Sequence, residues 1–205
     1  MRKIILASGS PRRRELLQQM GVQFEVVPSD YDEQLDDTRT TDEVAIELGL
    51  GKALTVAEKY PDALVIGSDT IVTLNGKQLG KPADPDEAFT MLRAHAGQAV
   101  TVTTSIVLVC KAAGIEETDV DTAHVLFKPY QPDAMGAYLK SGDWHDKAGG
   151  WGIQSGAAPL IDHISGSYDT ILGLPTHILV KMLQAQGITA RPVEVPLPEG
   201  IVNRA

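Results

Sequence analysis

Three consecutive arginines stand beside two serines near the start of the chain. The stretch Ser8-Gly9-Ser10-Pro11-Arg12-Arg13-Arg14 follows an apolar run, Ile4–Ala7. Ser10 is a typical N-cap and Pro11 suits a first helical turn, so a helix is predicted from residue 11. A helix N-terminus disfavours cations, but its free N–H groups, serine hydroxyls and guanidinium groups together bind phosphate well. The pattern therefore favours a phosphate site over a capped helix whose arginines point into solvent.

Acidic residues that could serve hydrolysis occur at two places. Asp69 follows an apolar run that ends in Gly67 and Ser68. A carboxylate at the end of a buried strand can hold a metal ion or orient a water molecule. A turn aspartate that bonds its own backbone is an equally good interpretation. Glu33, in an acidic loop, indicates by itself only a solvated charge.

Two lysines stand in unusual settings. Lys52 follows Gly51 within a helical pattern of apolar residues, and Lys81 lies between Gly80 and Pro82 just past a hairpin signal. Lysine is a compact point charge that suits terminal phosphates. Most surface lysines bind nothing specific, however, so neither residue identifies a site alone.

A glycine-rich segment, 146–154, places Trp151 and Gln154 among small residues. Glycines permit close backbone approach, an amide can pair with the edge of a base, and an aromatic ring can stack on it. The alternative is a glycine-rich turn with a core tryptophan.

These residues must be positioned by short apolar strands that alternate with amphipathic helices, which indicates a mixed α/β class. One domain with a cleft is favoured, and the three prolines of 189–205 indicate a loosely held tail. The predicted strands are 2–7, 23–27, 63–67, 70–74, 99–109, 118–126 and 159–164. The predicted helices are 11–20, 41–59, 85–95, 132–140 and 175–185.

Composition narrows the function classes. The chain has 205 residues, a net charge of -9, 43% hydrophobic and 22% charged residues. An acidic balance argues against a general binder of nucleic acid or anionic membranes. Cys110 is the only cysteine, so neither an internal disulfide nor a cysteine-based zinc site is expected. No stretch reaches the length of a membrane span, and a cytoplasmic protein is expected.

Taken together, the motifs resemble the Maf family, and the resemblance covers residues 3–185. The matching motifs, in chain order, are Ser8–Arg13, Asp32-Glu33, Gly51–Ala53, Gly67–Thr70, Gly80–Pro82, Lys147–Gln154 and Gly173–Pro175. The resemblance implies a nucleoside triphosphate pyrophosphatase of the branch that acts on dTTP and UTP.

The resemblance also implies an architecture. It is that of the inosine triphosphatases: an elongated mixed sheet flanked by helices, with two lobes around a deep cleft. A single Maf-like domain would span residues 1–188, and 189–205 would be a proline-containing C-terminal tail. A homodimer is the family's expectation. The expected partner is a small nucleoside triphosphate, with neither nucleic acid nor membrane.

Residue roles follow from the same resemblance. Asp69 matches the proton acceptor, and Glu33 with Asp69 would position a divalent cation, Mg²⁺ or Mn²⁺. The residues that would hold the triphosphate are Ser8, Arg12, Lys52 and Lys81. The residues that mark the dTTP/UTP branch are Arg13, Thr70 and Gln154.

Gly150 and Trp151 depart from the family's usual Ala and Tyr, and so change the volume beside the expected base pocket. Two other functions stay open. One is the same reaction on 7-methyl-GTP or CTP. The other is a non-catalytic nucleotide-binding regulator of cell division, associated with septum formation.

Overall fold

A computed structural model describes residues 2–204 as a mixed α/β fold. The strands are β1 (Ile4–Leu6), β2 (Glu25–Val26), β3 (Leu64–Gly67), β4 (Thr70–Leu74), β5 (Lys77–Leu79), β6 (Ala99–Cys110), β7 (Ile115–Phe127), β8 (Ile161–Ser165) and β9 (Val202–Asn203). The helices are α1 (Pro11–Gln19), α2 (Thr41–Lys59), α3 (Pro85–His95), α4 (Pro132–Ser141), α5 (Tyr168–Leu172) and α6 (Thr176–Ala185).

The strands form one mixed sheet, which confirms the predicted class. Its order is β2-β1-β3-β6-β7-β8-β9, and β4 pairs with β5 and β6. β1 pairs in parallel with both β2 and β3, while β3 pairs antiparallel to β6. Parallel neighbours need a crossover connection, and here α1 joins β1 to β2 while α2 joins β2 to β3.

The chain divides into two compact units. The first comprises residues 2–70, 103–121 and 169–195, and the second comprises 71–102, 122–168 and 196–204.

Hydroxyl side chains cap the first two helices of the first unit, as predicted for Ser10. The Arg13 N–H donates to the Ser10 hydroxyl at 3.4 Å, with Pro11 in the first turn of α1. Thr40 begins α2 with a capping box, in which its hydroxyl accepts from the Glu43 N–H and the Glu43 carboxylate accepts from the Thr40 N–H. Such caps satisfy N–H groups that the helix leaves unpaired.

The first unit buries an apolar cluster between α2 and the strands it covers. Its members include Ile5, Ala53, Val56, Val65 and Val107. Small residues on the facing side of α2 keep the helix close to β3. This close packing brings polar side chains of α2 to the end of β3.

The second unit contains a buried aromatic group. Phe127 lies edge-to-face with Trp151, with ring centroids 5.3 Å apart, and lies 5.1 Å from the His95 ring. His95 Nε2 bonds the Gly149 carbonyl at 2.8 Å, and the Gly149 N–H donates to the Gly80 carbonyl at 2.9 Å. Trp151 is therefore a core residue.

Two differences from the sequence prediction concern short elements. The five-residue helix α5 was not predicted. The C-terminal segment is held more firmly than its prolines indicate, because β9 pairs in parallel with β8 and the Arg204 N–H donates to the Ile164 carbonyl at 2.8 Å. Among residues 2–204, no helix combines the length and the apolarity that a membrane crossing needs.

Candidate active site

Two carboxylates meet one ammonium group in the first unit. Lys52 Nζ lies 2.5 Å from Asp69 Oδ1 and 2.8 Å from Glu33 Oε1. Lys52 and Asp69 are only 8% and 6% exposed, whereas the Glu33 side chain is 49% exposed. The structure thus brings together three of the residues predicted from the sequence.

Glycines explain how Lys52 reaches Asp69. A methyl group on Gly67 would overlap the Gly49 carbonyl oxygen and lie 2.8 Å from the Ala53 methyl group. A methyl group on Gly49 would lie 2.5 Å from the Ser105 hydroxyl oxygen. Contacts below 3 Å cannot be accommodated without movement, so α2 can lie this close to β3 only because both positions are glycine.

A third glycine holds the acidic loop. A methyl group on Gly51 would overlap the Tyr31 ring, which therefore packs directly on the backbone of α2. The Tyr31 N–H in turn donates to the Ser29 hydroxyl at 3.1 Å. Tyr31 thus fixes the loop two residues before Glu33, and this places the Glu33 carboxylate over Lys52.

Ser105, on β6, orients the backbone at Asp69. The Asp69 N–H donates to the Ser105 hydroxyl at 3.1 Å, and the Ser105 N–H donates to the Asp69 carbonyl at 2.9 Å. The Ser105 hydroxyl donates its own proton to the Ala45 carbonyl on α2 at 2.6 Å. Ser105 therefore ties the end of β3 to both β6 and α2. The other interpretation of Asp69, as a turn aspartate that bonds its own backbone, finds no support in these contacts.

Arg13 is held by three separate segments. Its Nε donates to the Gly173 carbonyl at 2.7 Å, Nη1 to the Ser8 hydroxyl at 3.2 Å, and Nη2 to the Thr70 hydroxyl at 2.9 Å. Burial lowers the pKa of Arg13, and the negative charges of Asp69 and Glu33 counteract this. An arginine remains charged at neutral pH, so Arg13 presents a fixed cation with two further N–H groups.

The Gly173 carbonyl owes its position to a braced turn between α5 and α6. It also accepts from the Ser68 hydroxyl at 2.9 Å. Asp169 Oδ2 accepts from the Thr176 N–H at 2.7 Å and from the Thr176 hydroxyl at 2.6 Å. The Leu174 N–H donates to the Asp169 carbonyl at 3.0 Å. Asp169 therefore fixes the turn that receives Arg13.

Three predicted residues lie outside these two clusters. Arg12 is half-buried in the first turn of α1, and its side chain has neither a hydrogen bond nor an ion pair within residues 2–204. Lys81 and Gln154 are exposed residues of the second unit. The Gln154 side chain hydrogen-bonds with Tyr168. Burial raises the pKa of Tyr168 to about 12. Their predicted contacts with a nucleotide stay predictions.

The two carboxylates beside Lys52 suit a divalent cation that the substrate also helps to hold. Within the described part of the chain, no group of three or more His, Cys, Asp or Glu side chains is placed to hold a metal ion. Mg²⁺, however, is commonly bound through one or two carboxylates together with substrate phosphates and water. Glu33 and Asp69 supply two carboxylates of this kind.

Sequence reasoning assigned no role to the residues that support the site, although Gly173 belongs to one of the matching motifs. Ser105, Thr104 and Gly173 contact site residues that lie far away in the chain. A signal was present for two of them, because Thr103-Thr104-Ser105 interrupts an otherwise apolar strand with hydroxyls. Buried hydroxyls need partners, so polar residues within an apolar strand indicate hydrogen bonds to other segments.

Comparison with known proteins identifies the family of the chain. The family model described as Maf-like protein matches residues 3–186. A curated protein of Syntrophus aciditrophicus named dTTP/UTP pyrophosphatase is 43% identical over 185 residues, which is 90% of each chain. Proteins of the same name from Deinococcus radiodurans and Pyrococcus furiosus are 41% and 39% identical, over 92% and 90% of this chain and 95% of their own lengths. The chain therefore belongs to the Maf family.

Proposed function

We propose that the protein hydrolyses dTTP and UTP to the nucleoside monophosphate and pyrophosphate, as a housekeeping enzyme of the nucleotide pool. The observation that carries the proposal is the buried contact of Lys52 with Asp69, with Glu33 on the same ammonium group. The names of the relatives support the substrate and the reaction. Retention of two carboxylates in a phosphate-binding sequence context favours catalysis over binding alone.

The proposed reaction needs a base and a positive charge beside the phosphates. A water oxygen attacks the α-phosphorus, its proton passes to the Asp69 carboxylate, and the bond from the α-phosphorus to the bridging oxygen breaks. Pyrophosphate leaves with the bonding electrons. In the free protein the Lys52 ammonium group lies against Asp69 Oδ1, and a substrate phosphate that draws it away leaves this oxygen free to accept the proton.

Cationic and hydroxyl side chains would hold the triphosphate. Lys52 is proposed to pass from Asp69 to a phosphate oxygen, where its charge opposes the charge that grows on departing pyrophosphate. Arg12 has guanidinium donors that no described residue occupies. The remaining members of the proposed phosphate set are Ser8 and Lys81.

A divalent cation is part of the proposal. Glu33 and Asp69 would hold Mg²⁺ or Mn²⁺ together with substrate oxygens, in keeping with their carboxylate chemistry. The cation would neutralise charge on the phosphates. The protein must keep the two carboxylates close enough to bind one ion. In the free protein the Lys52 ammonium group holds them together.

Base preference is proposed to depend on Arg13, Thr70 and Gln154. Trp151 is 5% exposed and packs on Phe127, so its replacement of the family's tyrosine is a change in the core of the second unit. This supports retention of the preference for dTTP and UTP over 7-methyl-GTP or CTP. A cytoplasmic location and a homodimer remain predictions.

The bond that breaks can be tested with labelled water. Hydrolysis of UTP in H₂¹⁸O should place the label in UMP, with unlabelled pyrophosphate as the second product. Label in pyrophosphate would contradict attack on the α-phosphorus, and release of inorganic phosphate with UDP would contradict the reaction itself. Nucleotide binding without any turnover by the folded protein would favour the non-catalytic regulator of cell division.

A further inference from the structure

Thr104 forms one end of a directed hydrogen-bond chain that runs to the candidate site. Its Oγ1 lies 2.8 Å from the Thr170 carbonyl oxygen and 3.0 Å from the Thr70 Oγ1. A carbonyl oxygen can only accept, so the single hydroxyl proton of Thr104 is committed to Thr170. In the bond between the two threonines, Thr70 must therefore be the donor.

The same logic fixes what Thr70 can offer to a ligand. Its one proton points to Thr104, and its oxygen already accepts from Arg13 Nη2 at 2.9 Å. A hydroxyl has one donor and two acceptor positions, so one lone pair remains. Thr70 is half-buried, and this lone pair is the only hydrogen-bonding capacity it has left.

We propose that Thr104 is a positioning residue that makes Thr70 an obligatory hydrogen-bond acceptor, and that Thr70 recognises a neutral donor of the nucleoside. This rests on the proposed function and deepens it. A phosphate oxygen is itself only an acceptor, so Thr70 cannot serve the triphosphate. Two groups of dTTP and UTP have the required chemistry: the imide N3–H of the base and the sugar 3′-hydroxyl.

This hydrogen-bond chain has little freedom to reverse its direction. Thr104 is fully buried, and its Thr170 anchor is fixed by a second bond from the Thr170 hydroxyl to Asp121 Oδ2 at 2.5 Å. If Thr104 turned its proton towards Thr70, its bond to the Thr170 carbonyl would be lost. A ligand that offers an acceptor to Thr70 therefore binds with one hydrogen bond fewer than a ligand that offers a donor. One hydrogen bond corresponds to about 3- to 10-fold in binding or rate.

The test compares Thr104→Val and Thr104→Ser with Thr73→Val, the same change at a buried threonine of a different strand, β4. For each variant, kcat/KM is measured with UTP, CTP, dTTP and 2′,3′-dideoxy-TTP. Thr104→Val should lower kcat/KM for UTP and dTTP about 3- to 10-fold. Thr104→Ser should restore it, and Thr73→Val should leave it unchanged. The loss should vanish with the substrate that lacks the recognised donor, which is CTP for the imide and 2′,3′-dideoxy-TTP for the sugar.

An equal loss with all four nucleotides would overturn the proposal, because a merely structural role does not discriminate between substrates. So would unchanged values for UTP and dTTP in a folded Thr104→Val. If that variant does not fold, Thr104→Ala must show the same substrate-dependent loss. A folded wild type that releases no pyrophosphate from any nucleotide would contradict the proposed function, and this inference with it. The other outcomes all require an active wild type and concern Thr104 alone.

Discussion

Lys52 Nζ lies 2.5 Å from Asp69 Oδ1, and both side chains are buried where α2 meets the end of β3. The Glu33 carboxylate shares the same ammonium group. Two carboxylates this close together would repel each other without the cation. Lys52 therefore stabilises the folded site in the absence of substrate. We propose that a bound triphosphate takes over its positive charge.

Replacement of Lys52 by methionine should reduce both stability and activity. The change leaves Asp69 buried without its counter-charge, which costs about 3 kcal/mol in free energy of unfolding. Urea unfolding measures this loss, and pyrophosphate release should fall at the same time. Lys59→Met is the matched control, because Lys59 lies in the same helix but is exposed and pairs with Asp30 only at 3.6 Å. Equal stability of the two variants would contradict the role given to Lys52.

Gly67→Ala should separate α2 from β3. The added methyl group would overlap the Gly49 carbonyl, and backbone cannot move aside as a flexible side chain can. We expect a loss of about 2–3 kcal/mol in free energy of unfolding. Gly136→Ala, inside α4 with open space around it, should instead be neutral or stabilise by about 0.5–1 kcal/mol. A Gly67→Ala protein as stable as wild type would show that the helix does not need this close approach.

Arg13→Lys keeps the charge but loses the planar fork that bonds three segments. A lysine ammonium cannot reach Gly173, Ser8 and Thr70 with the same geometry. We expect kcat/KM for dTTP to fall about 10-fold or more, because Thr70 and the turn at Gly173 lose a shared partner. Arg14→Lys, at an exposed position of the same helix, should retain wild-type kinetics. Wild-type kinetics for Arg13→Lys would contradict the need for the fork.

His95 should make stability depend on pH. Burial lowers its pKa below the ordinary value of 6.5, so the unfolded chain takes up a proton more readily than the folded protein does. The free energy of unfolding should therefore fall as pH drops through about 6.5. This part of the pH dependence should disappear in His95→Gln and persist when the exposed His145 is changed to Gln. Identical pH profiles for wild type and His95→Gln would contradict it.

Local patterns predicted the elements well. The Ser10 cap of α1 and the Asn75-Gly76 turn between β4 and β5 are each written within a few neighbouring residues. The helix α5 and the strand β9 escaped prediction because five and two residues carry too little periodicity. Their positions depend on partners far away in the chain.

The residues of the two clusters could be singled out from the sequence, but their connections could not. Asp69 and Lys52 could be singled out as candidates, yet only the structure shows that one ammonium group joins Asp69 to Glu33. The supports at Thr104 and Gly173 act over 34 and 160 residues of sequence separation. No local propensity encodes contacts of that range, because they arise only when the sheet forms.

The most direct test of the central claim is pyrophosphate release from dTTP, UTP, CTP, GTP and 7-methyl-GTP, with Mg²⁺ or Mn²⁺, by wild type, Asp69→Asn and the exposed control Asp62→Asn. We expect wild type and Asp62→Asn to release pyrophosphate from dTTP and UTP in preference to the other nucleotides. Asp69→Asn should remain folded and lose this activity. Full activity of a folded Asp69→Asn would contradict the assignment of Asp69 as the base, and preference for another nucleotide would contradict the roles given to Arg13, Thr70 and Gln154.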